Sequence, residues 1–244
     1  MKTFSIYKCE NFPEIKTQTL EEVIRDEHLF GGRDLKTSFS LLNENYHGFV
    51  LIEVEHSFQQ MQPGRAMVLK DGQFKEVNFS EYVEDITFNA YYHKDEKILI
   101  FQVRKEVAKD VLKNIQSSKK LQVIELEEKT IDFEQLEPLI DEYKSVWFSD
   151  IKSGGLRSAS LSGTKLKEHS HFSEYKAAGG KLSYVTIPFV YNDVVRTVGI
   201  TKDSAIILLQ KYDNTRMELD ILLEVEKKLL KPIWNKSEKQ DGGK

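Results

Sequence analysis

An α+β fold, made of two β-sheet/helix units in which antiparallel hairpins each lead into a helix, follows from three features of this sequence. Asp71-Gly72 separates two short apolar runs, residues 66–69 and 74–77, and both turn positions accept the positive φ of a tight hairpin. Residues 86–92 and 97–103 form a second strand pair around His93-Lys94-Asp95-Glu96. That pair runs into residues 104–115, where Val107, Val111, Leu112 and Ile115 recur at helical spacing. Residues 181–189, 194–200 and 205–210 then give three more strands before a long helix, opening at Thr215, whose Leu219, Leu222, Leu223, Val225, Leu229 and Leu230 share a broad apolar face.

The remaining elements fall between these. Residues 1–6 alternate polar and apolar side chains and read as a first strand. Thr19-Leu20-Glu21-Glu22 has the pattern of a capping box, with the Thr hydroxyl accepting from the third helical N–H and Glu22 reaching back, so it predicts a first helix stopped by Gly31-Gly32. Strands are predicted at 37–42 and 48–55, another at 121–126, then a helix from Asp132 to about Lys144 with Gln135 completing the cap. Residues 146–151 read as a strand, and 152–170 as a long Ser/Gly-rich connection broken by a short strand near 157–161. Pro232 is expected to end the last helix, and residues 236–244 to be disordered. Residues 94–102 and 202–210, offset by 108, share four of nine positions and predict an internal duplication. The domain reading is an N-terminal α+β unit at 1–119 and a C-terminal one at 120–235.

Composition supports folding. The 244 residues are 40% apolar and 30% charged with a formal net charge of −4, far from the composition of disordered chains, and Gly and Pro are too few for collagen or linkers. The single cysteine, Cys9, allows no intramolecular disulfide and no cysteine-based zinc site, which suits a reducing compartment. No signal-peptide core is visible. The best apolar run, residues 205–209, is far short of the about 20 residues that span a bilayer, so a cytoplasmic protein is expected.

Charge is distributed unevenly. Residues 1–96 sum to −7, 97–120 to +5, 121–150 to −7, 151–211 to +5, and the rest to zero. Two basic segments stand out. In the predicted helix, Arg104, Lys105, Lys109 and Lys113 form a stripe. Residues 151–167 carry Lys152, Arg157, Lys165 and Lys167 with no acidic residue, among four serines, a threonine and three glycines. Such a segment can bring backbone N–H groups, hydroxyls and cations to phosphate, so these eight residues are the predicted DNA-binding set. Solvated helix faces and loops have the same composition, and that plainer reading stands beside it.

Catalytic signatures are missing. The sequence has no Gly-x-Ser-x-Gly elbow, no phosphate loop and no GxGxxG, and residues 153–165 place Thr164-Lys165 in the wrong order for a phosphate loop. His169 and His171 have only Glu168 and Glu174 as nearby ligands, so no metal site is predicted. His28, His47, His56 and His93 read as scattered surface or satisfied core residues. A restriction-type nuclease motif is approached at Leu51-Ile52-Glu53-Val54-Glu55 with Asp34 upstream, but Glu55 stands where a lysine is needed. Asp85 or Asp95 before Gln102-Val103-Arg104 fits no better. No catalytic residue, cofactor or small-molecule substrate is predicted.

Across residues 86–235 the order of elements is a hairpin and basic helix, an acidic strand-helix unit, and Phe148-Ser149-Asp150-Ile151 leading into a Gly/Ser-rich excursion. A strand and long helix follow. This order resembles the RexA phage-exclusion and KwaB (Kiwa) defence-protein family. The resemblance implies an α+β homodimer that binds double-stranded DNA with little sequence preference, acts in anti-phage defence and works with a separate membrane protein. Two other classes stay open. One is a metal-dependent nuclease or RNase toxin, the other a protein-interaction module such as a phage-encoded inhibitor of host defence.

Overall fold

The computed structural model describes residues 1–13, 19–25, 34–212 and 214–234. The predicted Gly31-Gly32 stop, His28 and the tail at 236–244 lie outside them. The chain is α+β, dominated by antiparallel sheet. Its strands are β1 (Lys2–Asn11), β2 (Thr19–Arg25), β3 (Asp34–Tyr46), β4 (Phe49–Gln60), β5 (Gly64–Lys70), β6 (Gln73–Phe79), β7 (Tyr82–His93) and β8 (Ile98–Phe101), followed by helix α1 (Lys105–Ser117). Then come β9 (Glu125–Glu127), α2 (Phe133–Leu136), β10 (Ser145–Ser149), β11 (Ala159–Ser162), α3 (Ser170–Ala177), β12 (Lys181–Tyr191), β13 (Val194–Thr201), β14 (Ala205–Leu208) and α4 (Thr215–Val225).

Twelve strands make one sheet in the order β11-β10-β12-β13-β14-β1-β8-β7-β4-β3-β2, with β9 added beside β1. The first strand is its centre. Residues Lys2–Ser5 pair with β14 on one side and Ser5–Lys8 with β8 on the other. The two expected sheet/helix units are therefore halves of a single sheet. The stretches related by 108 residues become β8 and β14, the two neighbours of β1, but the helices that follow them cover opposite faces. Alternation along β1 shows why: Phe4 and Ile6 join a core with Ile98, Ile100, Ile206, Leu208 and α4, while Tyr7 and Cys9 join a second core with Leu99, Phe101 and the buried side of α1. Burial pushes the Cys9 thiol up to about 12, with Glu10 and Glu125 adding to it.

Local reading and tertiary outcome diverge at four places. Thr19–Arg25 is a strand, paired along its whole length with β3, where a capped helix was predicted; sheet pairing overrides a short local helix signal. Residues 121–126 are divided into a 3-10 turn (Leu121–Val123) and the three-residue β9. Asp132 does cap a helix, accepting from the Glu134 N–H, and Gln135 Nε2 donates to its carboxylate. That helix lasts only from Phe133 to Leu136 and tightens into a 3-10 turn at Glu137–Leu139, because Pro138 brings no N–H. At the other end α4 passes through a π turn at Glu226–Leu230 and stays helical to residue 234, past Pro232, which the wider turn accommodates.

The Asp71-Gly72 hairpin forms as predicted, with φ of 54° and 76° at its two turn residues. Its position is unexpected. Strands β5 and β6 form a separate two-stranded ribbon inserted between β4 and β7, and their apolar side chains face solvent: Met67, Leu69 and Phe74 lie on one side, with Phe74 69% exposed, and Val68 and Val77 on the other.

Candidate nucleic-acid interface

The eight predicted DNA-binding residues fall into two groups that the sheet separates. Helix α1 packs over the β1–β4 half. The 152–167 segment wraps the far edge, where β11 is the last strand, with β10, β12, β13 and β14 between it and β1. Because Lys105 and Lys109 reach Asp203 in the β13–β14 turn, three to four strand spacings of about 4.8 Å, roughly 14–19 Å, lie between them and β11. Strands β12 and β10 stand between the two groups.

The α1 group is largely neutralised. Asp203, in the β13–β14 turn, accepts from Lys105 and from Lys109 Nζ at 3.1 Å, and Glu128 lies 3.6 Å from Lys109. Burial pushes the Asp203 carboxyl up, and the two lysines together more than offset it, holding the group below the ordinary carboxylate range. Arg104 pairs with Glu84 and lies over the Phe58 ring at 5.3 Å. Lys113 is exposed near the end of the helix. Beneath the helix, a buried polar chain fixes it to the sheet. Asn114 Nδ2 donates to Thr37 Oγ1 at 3.0 Å, Thr37 shares a 2.9 Å bond with His56 Nδ1, and His56 Nε2 lies 3.1 Å from Asp110. The Thr37 hydroxyl, which can accept from Asn114 and still share a bond with Nδ1, and the Asp110 carboxylate at Nε2 give both imidazole nitrogens a partner. The order carboxylate, imidazole, hydroxyl has the form of a nucleophilic triad, but His56 and Thr37 are each 2% exposed, and the chain acts as a staple between α1 and strands β3 and β4.

The β11 group is different. Lys167 is turned inward: its ammonium donates to the carbonyls of Glu137 (3.0 Å) and Ile140 and sits 5.1 Å from the Tyr143 ring, so it caps the 3-10 turn after α2. Lys152, Arg157 and Lys165 are exposed, and among the described residues they form no ion pair within 4.0 Å. Lys181 joins them, since its position in β12 is opposite Ser149 at the end of β10 from which residue 152 leaves. The histidines nearby are used locally. His169 Nδ1 accepts from the His171 N–H at the start of α3, and His171 pairs with Glu174 at 2.8 Å. Among the described residues no three His, Cys, Asp or Glu side chains are grouped to hold a metal ion. Asp85, from the nuclease motif, accepts from Ser57 at 3.0 Å, and Glu55 pairs with Lys36 at 2.7 Å.

Between the two groups lies a feature that sequence reading missed. Helices α2, α3 and α4 all pack on the Phe4/Ile6 face. On the opposite face, α1 covers only the β1–β4 half, and among the described residues no helix joins the β10–β14 half. Two rows of side chains cross this open face. One runs Ser162, Ser145, Thr186, Gly199, Ile207, Thr3; the next runs Ser160, Trp147, Tyr184, Thr201. A methyl group on Gly199 would lie 2.4 Å from Tyr184 Oη, so glycine is required there for the tyrosine ring to lie across the sheet. Trp147 meets that ring at 5.1 Å and 61°, and remains 41% exposed. The signal in the sequence was Ser145-Val146-Trp147-Phe148-Ser149, a strand carrying an aromatic on the face opposite its buried Val146 and Phe148.

Among the described residues no helix is long and apolar enough to cross a membrane. Compared with known protein families and with characterised proteins, the chain matches none.

Proposed function

We propose that this protein binds double-stranded DNA through the phosphate backbone with little dependence on sequence, without catalysis of its own. In this proposal it is the DNA-binding component of an anti-phage defence system that acts through a separate membrane protein. The carrying observation is the set Lys152, Arg157 and Lys165, exposed and without carboxylate partners among the described residues, on a hydroxyl-rich edge whose residues 151–167 contain no acid. Cations already paired gain little from a phosphate, whereas free ones release its counterions. The resemblance to the RexA/KwaB family supplies the biological setting. Gel-shift titration of a long duplex at several salt concentrations tests it: three phosphate contacts give a log–log slope of about −2.7. Absence of binding even at low salt would remove the proposal.

The β5–β6 ribbon favours a second reading, a protein-interaction module. A two-stranded ribbon is marginally stable alone, and this one presents apolar side chains on both faces. Met67, Leu69 and Phe74 make a contiguous exposed apolar patch on one face, of the kind that marks an interaction surface. On this reading a second copy of the chain covers the ribbon, giving a homodimer. Sedimentation of the wild type and of Leu69→Ser/Phe74→Ser checks it, with a monomeric wild type as the contrary result.

A further inference from the structure

We infer that the open β10–β14 face is a stacking site for unpaired bases, so that the nucleic acid this protein takes includes a single-stranded DNA segment. The inference rests on the DNA-binding reading for its phosphate contacts, and on the sheet for everything else. Trp147 and the half-buried Tyr184 stand on a sheet face that no helix covers among the described residues. Ser160, Thr201 and Gly199 lie around them, Ser145 and Thr186 are buried beside them and share a 2.5 Å bond, and the apolar Ile207, Pro188, Val190 and Val195 lie farther along the same face. Tyr184 is half-buried across Gly199, and Trp147 packs against its ring and keeps 41% of its surface exposed, so the two rings are set against each other before a ligand arrives. Fixed rings of this kind stack bases of any identity, because every base has a π face.

Duplex bases offer only their edges to a protein, and a flat sheet face has no element to place in a groove; unpaired bases can be splayed onto the rings. A neutral sugar would also stack on Trp147 but would leave Arg157 and Lys165, at the two ends of β11 beside this face, without counter-charge. A phosphate-bearing strand satisfies both the rings and the cations.

The chain has two tryptophans, and the other, Trp234, is 5% exposed and shielded from an added ligand, so the change in emission on titration reports mainly on the Trp147 site. The experiment titrates the full chain with a thymidine oligonucleotide, with a blunt duplex, and with the duplex carrying a thymidine overhang, following emission and affinity together. The expected result is quenching by the oligonucleotide and the overhang but not by the blunt duplex. Trp147→Ala should weaken oligonucleotide binding roughly five- to hundredfold, leave blunt-duplex binding within twofold, and be rescued to within about threefold by Trp147→Phe. Wild-type emission unchanged by the oligonucleotide, or equal binding by Trp147→Ala, overturns the inference. Emission that shifts with protein concentration and ignores DNA overturns it too, and assigns the face to a second copy. Blunt-duplex binding without oligonucleotide binding leaves the DNA reading in place and removes only the stacking site. Quenching by the oligonucleotide with no duplex binding does the reverse. The wild-type titration needs no variant, so a misfolded Trp147→Ala cannot leave the question open.

Discussion

Helix α1 and the β11 edge carry similar densities of basic residues and use them in different ways. On α1, Arg104, Lys105 and Lys109 are each matched by a carboxylate from a distant part of the chain, and Asp203 is partly withdrawn from water to serve two of them. At the edge, Lys167 is spent on two backbone carbonyls, while Lys152, Arg157 and Lys165 stay in solvent. A lysine count therefore says little about attraction for a polyanion. What matters is whether an acid is held within reach, and that depends on topology: the β13–β14 turn brings Asp203 beside α1, whereas among the described residues no carboxylate lies within 4.0 Å of Lys152, Arg157 or Lys165.

The largest effect should come from reversing the free group. The triple change Lys152→Glu, Arg157→Glu, Lys165→Glu is expected to lower duplex affinity about 100-fold or more at low salt and to flatten the salt slope by about 2.7, read by gel shift. The same assay on Lys105→Gln/Lys109→Gln should move affinity less than twofold. Equal losses in the two variants would erase the distinction between the regions.

Next is the polar chain that fixes α1. His56→Ala removes the centre of a buried network and leaves Thr37 and Asp110 short of a partner, so stability should fall by about 3 kcal/mol in urea denaturation. A loss confined to DNA binding, with stability intact, would make His56 part of the functional surface.

A smaller effect distinguishes two acids that share lysine partners. Glu226, 1% exposed in the π turn, is raised to about 7, chiefly by burial, with Glu96 adding to it against Lys231 and Lys227. Glu96 is lowered to about 2 by its hydrogen bonds from Lys227 and Lys231. The signs are opposite. The protonated Glu226 contributes stability below about 4.5 that is lost as pH rises to about 7, whereas the Glu96 contribution is present above about 4.5 and lost as pH falls toward 2. Glu226→Gln should thus be more stable than wild type at pH 8 by about 1–2 kcal/mol and equal to it near pH 4, by denaturant titration at the two pH values. Equal stability at pH 8 would show that the carboxylate is solvated there.

The smallest expected change is the sharpest test of the comparison. Asp203→Ala frees Lys105, while Lys109 keeps Glu128 at 3.6 Å, and should raise duplex affinity a few-fold and steepen the salt slope by about 0.9. Unchanged affinity would mean that α1 lies outside the DNA path even when Lys105 is unpaired.

Local chemistry made much of the fold legible. Asp71-Gly72 could be read because a two-residue turn depends on its own φ angles, and α1 because its apolar residues recur every three or four positions. Thr19 could not, because the partner that turns its segment into strand is β3, and Pro138 and Pro232 acted according to the turn around them. The site was less legible. Charge composition pointed to residues 152–165, but Lys105 and Asp203 are 98 positions apart in sequence, and nothing local connects them. Trp147 was overlooked because an apolar run looks the same whether one face is buried or both.

By itself, the sequence determined what depends on neighbours along the chain: the hairpins, the amphipathic helices, the absence of acids from residues 151–167, and an antiparallel α+β class. Only the tertiary structure decided which cations stay free and which face of the sheet stays open. Both depend on strands from remote parts of the chain meeting at β1, and a pairing free energy set by distance in space leaves no periodic trace in the order of residues.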